Sequence, residues 1–168
     1  ILVGKTGVIA KFLGRQSTTL DFVDHFRGDG EDYDYGWEER WIRDEGYLAL
    51  MPRAIEAALG SIATRDVKYL LVQGPQRFAS AVAKAVGIRA EAVPADLHAE
   101  CGDTGVAHPL LLLGAALEKA QGGDLIVLAG FGQGCDVLLL RATGRAPSAG
   151  RGVSGSLAAG VSNRDYVR

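Results

Sequence analysis

"LIVLAGFGQGCDVLLL", residues 125–140, decides how the chain is read. Two apolar runs, 125–129 and 137–141, flank a glycine-rich joint at 130–136. Each run is too short for a helix and is bounded by turn residues, so both read as buried strands. The short connection between them suits an antiparallel hairpin, because a parallel crossover needs a dozen or more residues. The glycines do not make a phosphate loop. A Walker loop needs Lys-Ser/Thr and then a helix, whereas Cys135, Asp136 and a strand follow here. A dinucleotide fingerprint also needs a helix next and fails in the same way. What remains is a plain hairpin, or a turn whose backbone comes close to another group.

The segments before the hairpin alternate in kind. Residues 105–120 predict a helix whose core, "PLLLLGAALEKA", is apolar nearly all round and therefore buried, with Gly122 and Gly123 ending it. Residues 77–86 predict a second helix, with Phe78, Ala81, Val82 and Ala85 on one stripe and Gly87 as its stop. A third helix is expected at 47–59, where Leu48, Met51, Ala54, Ile55, Ala58 and Leu59 recur at helical spacing. Strands are expected at 67–72 ("VKYLLV"), at 8–13 after the apolar residues 1–3, and as a minor piece at 90–93. This alternation argues for a layered α/β fold with a largely parallel sheet, closed by the antiparallel hairpin.

Two stretches stand apart. Residues 21–46 hold ten of the twenty acids, two Trp and two Tyr, with loop glycines and little periodicity until Trp37. They read as a long surface excursion pinned by aromatics, or as a loop facing a substrate. After Thr143 the composition shifts to Gly, Ser, Ala and Arg. The chain is therefore divided into a domain at 1–143 and a tail or linker at 144–168, mobile unless a partner holds it.

Composition narrows the function. Twenty acids against 18 bases leave no electrostatic footprint for nucleic acid. No run approaches the roughly 18 apolar residues of a membrane span, and no signal peptide is visible. Cys101 and Cys135 form neither a disulfide framework nor a metal pattern, so a reducing, cytoplasmic setting is expected. The start "ILVG", without Met, reads as a strand cut at its edge, and a fragment is expected.

"CGDTGVAHP", residues 101–109, gathers a thiol, a carboxylate, a hydroxyl and an imidazole ahead of the buried helix. Asp103 and Thr104 are helix-capping residues by type. His108 is either a satisfied core histidine or an acid/base. A Cys-His pair would need Cys101 and His108 within hydrogen-bond reach. His25 and His98 are isolated in the sequence, and metal binding is not expected of either. The acidic segment lacks the ligand spacing of a calcium loop.

Three segments, in order, resemble one family, the thiolase-fold condensing enzymes of the 3-oxoacyl-acyl-carrier-protein synthase III and hydroxymethylglutaryl-CoA synthase branch. "GDLIVLAGFGQGCDVLLL" resembles their closing hairpin with its Phe-Gly-x-Gly. "GDTGVAHP" is similar to their Gly-Asn-Thr loop, which enters a buried helix. "VQGPQRFASAVAKAVG" is similar to the His-Gln-x-Asn stretch and its helix, and "DFVDHFR…GWEERWIRDEGY" to an insertion of the synthase branch.

The resemblance covers residues 8–142. It implies a thiolase-like half, layered α/β/α, with a five-stranded mixed sheet ending in an antiparallel hairpin. It implies the C-terminal half of a two-half fold, with residues 1–3 ending the first half's last strand. The nucleophilic cysteine belongs to the other half, and neither Cys101 nor Cys135 occupies its place.

The implied activity is acyl transfer and carbon–carbon bond formation on coenzyme A thioesters. The implied partners are acyl-CoA or acyl-carrier protein, in a homodimer or hetero-assembly, with no cofactor besides the thioester substrate. Aligned on Lys84 and Gly87, Val72 takes the place of the family's His and Gln73 keeps the next position. Asp103 replaces the Asn. The backbone N–H of Gln133, inside Phe-Gly-x-Gly, corresponds to the donor facing the thioester oxygen. Gly132, Gly134, Gly102 and Thr104 are implied on the substrate side, and Asp103 and His108 as stand-ins for the usual polar pair. Because valine moves no proton and an ionised carboxylate only accepts, the alternative is a non-catalytic subunit that binds acyl-CoA or scaffolds a complex. A third reading is an unrelated α/β domain with a structural glycine hairpin.

Overall fold

The computed structural model of the chain describes residues 4–146 and 150–160. Residues 1–3, expected as the end of a strand, lie outside the described residues. Four strands make the main sheet in the order β1 (Ala10–Thr19), β6 (Gly134–Ala142), β5 (Leu125–Gly132), β4 (Val67–Val72). Strands β4 and β5 are parallel, and the β5–β6 and β6–β1 pairs are antiparallel. The sheet is mixed, as the resemblance implies, but two of its three pairs are antiparallel where the sequence pattern predicts a largely parallel sheet, and it has four strands rather than five. Residues 90–92, in the piece expected to be the fifth, form a tight 3-10 turn closed by Ala92 N–H on Arg89 C=O. Ala-Glu-Ala has no β-branched or aromatic side chain to lay on a sheet, and the local turn bonds prevail.

Two helical layers cover the sheet. Alternation along the strands sends Leu70, Val72, Val127, Ala129, Val137 and Leu139 to one face, against α2 (Leu48–Leu59) and α3 (Gln76–Val86). It sends Leu71, Ile126 and Leu128 to the other, where Leu112, Leu113 and Ala116 of α5 (His108–Leu117) pack on them. Period-2 alternation is the reason both faces of so apolar a sheet can be filled. Met51, Ile55, Leu70, Val82 and Ile126 are wholly buried. Each contributes roughly 1.5–3 kcal/mol by leaving water.

The glycine joint is strand almost throughout. The β5–β6 ladder continues through Gly130↔Asp136 and Phe131↔Cys135 to Gly132↔Gly134, leaving Gln133 alone at the tip. Phe131 explains why. Its ring lies buried against Tyr47, centroids 4.4 Å apart and stacked, and edge-on to Phe22 at 5.7 Å. Gly134 has φ +117°, and a Cβ there would overlap the carbonyl of Thr18 on β1. Glycine is required at this point because β1 runs directly against the hairpin tip.

The acidic excursion is anchored to the same ring. It carries the short hairpin β2 (His25–Phe26) and β3 (Tyr35–Gly36), and Phe22 stacks on Trp41 at 4.5 Å. Helical structure starts earlier than the sequence pattern suggests. The short helix α1 (Glu39–Trp41) is capped by the Glu38 carboxylate, which accepts from Arg40 and Trp41 N–H. A π-helical turn, Ile42–Tyr47, then leads into α2. Gly46 in that turn leaves room for the rings of Phe22 and Phe131.

Residues 152–160, within the segment read as tail or linker, form α6 (Gly152–Gly160) beside α5 and the short helix α4 (His98–Cys101). Gly114 of α5 makes space for Val153. Glu118, at the end of α5, accepts from Val153 N–H and, at 3.3 Å, from Ser154 N–H. Hydrogen bonds from Ser154 and Val153 hold the Glu118 carboxyl below its usual range despite some desolvation. A carboxylate lowered on docking stabilises the docked state above its ordinary pKa, and loses that effect as pH falls through the lowered value. Hydrogen exchange at about pH 3, or in Glu118→Gln at neutral pH, is therefore expected to show α6 amides deprotected while β5 stays protected. Unchanged α6 protection in both would contradict the cap.

Candidate active site

The ends of β4 and β5, the loop before α5 and the residues before α4 converge on one edge of the sheet. Gln73 follows β4 and is buried. Its N–H donates to Ala129 C=O at 3.2 Å, and its Oε1 accepts from Phe131 N–H at 3.3 Å. The side chain thus extends the ladder by one bond and fixes the hairpin against β4. A Cβ at Gly130 would meet Pro109 Cγ and Gln73 Oε1 at ordinary van der Waals distances. Gly74, at φ +106°, sits against the Tyr47 hydroxyl, where a Cβ would come within 2.8 Å. Burial raises the Tyr47 phenol, and Asp24 and Asp103 add to the effect, so Tyr47 stays neutral.

The 102–108 loop opens with Gly102 at φ +69° and turns on Gly105 at φ +57°. Asp103 is exposed, and its Oδ1 accepts from Gly105 N–H at 2.7 Å. That is a local Asx turn, and Thr104, at the N-cap of the 3-10 turn, makes no side-chain capping bond. Thr104 Oγ1 lies 3.1 Å from His108 Nδ1. His108 is 0 % exposed, with Nε2 2.7 Å from the backbone oxygen of Asp96. A carbonyl only accepts, so Nε2 carries the proton, Nδ1 holds the lone pair and Thr104 donates to it. Cys101 Sγ points to Leu97 O at 3.2 Å, not to His108.

Asp96 organises this side of the edge. Its carboxylate accepts from Gln76 N–H at the start of α3, 2.7 Å, and from His98 N–H, 3.1 Å. Burial alone would raise the Asp96 carboxyl, but these two N–H groups and the His98 ring outweigh it and hold it below the usual carboxylate range. His98 stacks on His108, centroids 4.4 Å apart. Sequence reasoning leaves Asp96 out and reads His98 as isolated. Asp96-x-His98 just ahead of the Cys-Gly-Asp loop was the available signal.

The other expected site residues divide. Gln133 is exposed at the hairpin tip between Gly132 and the buried Gly134. Val72 is 2 % exposed and belongs to the α2–α3 core. It lines a cavity of about 10 Å³ with Gln76 and Asp96, room for at most one water. Gln76 Oε1 is buried without a protein partner. The residue that reaches the hairpin from β4 is therefore Gln73, not Val72. Burial pushes the Cys135 thiol up to about 12, with Asp136 adding to it, so Cys135 is a packing residue and not a nucleophile.

Residues 58–140 match the family described as 3-oxoacyl-[acyl-carrier-protein (ACP)] synthase III C terminal. Solved structures agree over a longer span. The chain superposes on 3-oxoacyl-(acyl carrier protein) synthase III of Pseudomonas aeruginosa PAO1 with TM-score 0.66 at 22% identity, covering 86% of this chain and 48% of that one. Its counterpart from Aquifex aeolicus VF5 gives 0.69 at 18%, covering 82% and 46%. The chain has the fold of the C-terminal half of a thiolase-like condensing enzyme.

Relatives by sequence agree with this thiolase-like half. Hydroxymethylglutaryl-CoA synthase of Methanopyrus kandleri is 29% identical over 140 residues, 79% of this chain and 39% of that protein. Beta-ketoacyl-[acyl-carrier-protein] synthase III of Lactobacillus delbrueckii subsp. bulgaricus is 42% identical over 81 residues, 47% and 24%. The chain thus spans well under half the length of these curated relatives. Among the described residues, no helix is long and apolar enough to cross a membrane.

Proposed function

We propose that the protein containing this half is a thioester-condensing acyltransferase acting on acyl-CoA, with acyl-carrier protein or a second CoA thioester as acceptor. The observation that carries this reading is the hairpin zipped to Gly132↔Gly134 and buttressed by Gln73 and Phe131. It supports reading Gln133 as the tip of a held hairpin, where a backbone N–H can serve as a donor. When a cysteine thiolate of the N-terminal half attacks a thioester carbonyl, negative charge grows on the carbonyl oxygen and the coenzyme A thiolate leaves. A pre-oriented N–H stabilises that oxygen in the transition state, and removing such a donor costs roughly 3 kcal/mol in other enzymes. Coenzyme A enters as substrate, and the acyl-loading step calls for no separate cofactor.

Association with the N-terminal half, in a homodimer or hetero-assembly in the cytoplasm, belongs to the same proposal. Val106 on the turn before α5, 93 % exposed, and Leu110 on α5, 47 % exposed, support it by presenting apolar surface. The comparisons give the scaffold alternative no support.

Gln133→Pro deletes the donor and Gln133→Ala keeps it. Acyl loading from labelled acetyl-CoA by the full-length protein should fall about 100-fold in the proline variant and less than about 3-fold in the alanine variant. Thermal melts verify that both are folded. Equal loading rates would remove Gln133 from the mechanism.

A further inference from the structure

We infer that His98, Asp103 and His108 form a binding site for one zinc-type divalent cation on the loop leading into α5. One donor atom from each residue lies within 4.8 Å of the others. They come from the start of α4, the loop and the start of α5, so chain neighbourhood alone does not explain the cluster.

Both rings are oriented from behind by one residue. Asp96 C=O accepts from Nε2–H of His108, which leaves the Nδ1 lone pair on the loop side, where Thr104 Oγ1–H donates to it and a cation would take that hydroxyl's place. The Asp96 carboxylate lies 3.3 Å from His98 Nδ1, which places Nε2 of that ring opposite. The orientation leaves His98 Nδ1 buried without a hydrogen bond. An oxygen partner on the far nitrogen is the usual way in which metal-bound imidazoles are held in tautomer and direction.

A second observation is backbone strain. Leu97 has φ +64°, the one positive φ outside glycine among the described residues. A leucine in that region costs on the order of 1 kcal/mol or more and persists where the surroundings impose it. Here it turns the chain so that His98 lies over His108.

Two imidazole nitrogens and a carboxylate oxygen suit zinc, cobalt or ferrous iron better than magnesium or calcium, which prefer oxygen. Ligands at about 2.0–2.1 Å in a tetrahedron stand about 3.3 Å apart. Asp103 supplies the closure, since it is exposed and only Oδ1 is engaged, by Gly105 N–H. Three protein ligands leave a fourth position open for water or a carbonyl oxygen. Whether a cation there polarises a thioester rests on the proposed function. The binding claim does not.

Chelator-treated protein, titrated with ZnCl2 by calorimetry and with CoCl2 by visible absorption, tests the site. One equivalent should bind with a Kd of about 10 µM or tighter. His98→Ala and Asp103→Ala should each weaken binding at least about tenfold, in line with the loss of a ligand or its support. Cys101→Ser should leave affinity unchanged. Absence of saturable binding by about 100 µM metal, parental affinity retained in His98→Ala or Asp103→Ala, or loss of binding in Cys101→Ser would overturn the assignment. Zinc binding in a protein that fails to load acetyl groups would overturn the proposed function and leave this site standing.

Discussion

Gly134→Val is expected to lower the thermal midpoint by roughly 6–12 °C and to expose β1 amides near Thr18 and Thr19 to exchange. Two effects add. The φ of +117° is strained for any side chain, and the atom it would meet is a backbone carbonyl that cannot rotate away. Strain of this kind plus displacement of a paired strand costs about 3 kcal/mol. In a domain of this size each kcal/mol moves the midpoint by roughly 2–4 °C. Gly132→Ala provides the control, because nothing lies within 4 Å of its Cβ position and its φ is not positive. It should stay within about 2 °C of the parent. Equal midpoints for Gly134→Val and Gly132→Ala would mean that β1 does not press on the hairpin tip.

Val72→His should cost roughly 2–4 kcal/mol and fail to recreate a working site. The substitution removes a buried apolar group and inserts an imidazole that must find partners in the core. The adjoining cavity of about 10 Å³ cannot receive a ring. Asp103→Asn should be benign to folding, since the side chain is exposed and an amide oxygen can still accept from Gly105 N–H. Melting curves decide: a drop of roughly 5–10 °C for Val72→His against less than about 2 °C for Asp103→Asn. An unchanged midpoint for Val72→His would show that position 72 opens toward the site after all.

The elements that the sequence made legible are those whose signal is local. Residues 67–72 are apolar except for the exposed Lys68 and form β4 at those bounds. The stripe ending at Gly87 becomes α3, whose last carbonyls meet Gly87 N–H at φ +70°. Where distant residues decide, local reading falls short. The 130–136 joint reads as a turn because its glycines carry no partner information. Phe131 is held as strand by rings at positions 22 and 47 and by Gln73. Residues 152–160 look like linker by composition, and their helix has its N-terminus held by Glu118, 34 or more residues earlier in the chain.

The site divides along the same line. Gln133, Gly132 and Gly134 are placed by a motif and fall together on the hairpin. His98 looked isolated because its approach to His108 depends on one strained leucine and on Asp96, neither visible in residue type or spacing. Gln73 was visible only as the neighbour of Val72. Which of the two reaches the hairpin depends on strand parity, and the end of β4 sends Leu70 and Val72 to the α2–α3 core.

The central claim is that this thiolase-like half serves an acyl-loading condensing enzyme. Intact-mass and peptide-mapping mass spectrometry of the full-length protein after exposure to acetyl-CoA tests it most directly. One acetyl group on a single cysteine outside residues 1–168 is the expected result, with Cys101 and Cys135 unmodified. A protein that stays unacetylated, or carries the acetyl group on Cys101 or Cys135, would contradict the account.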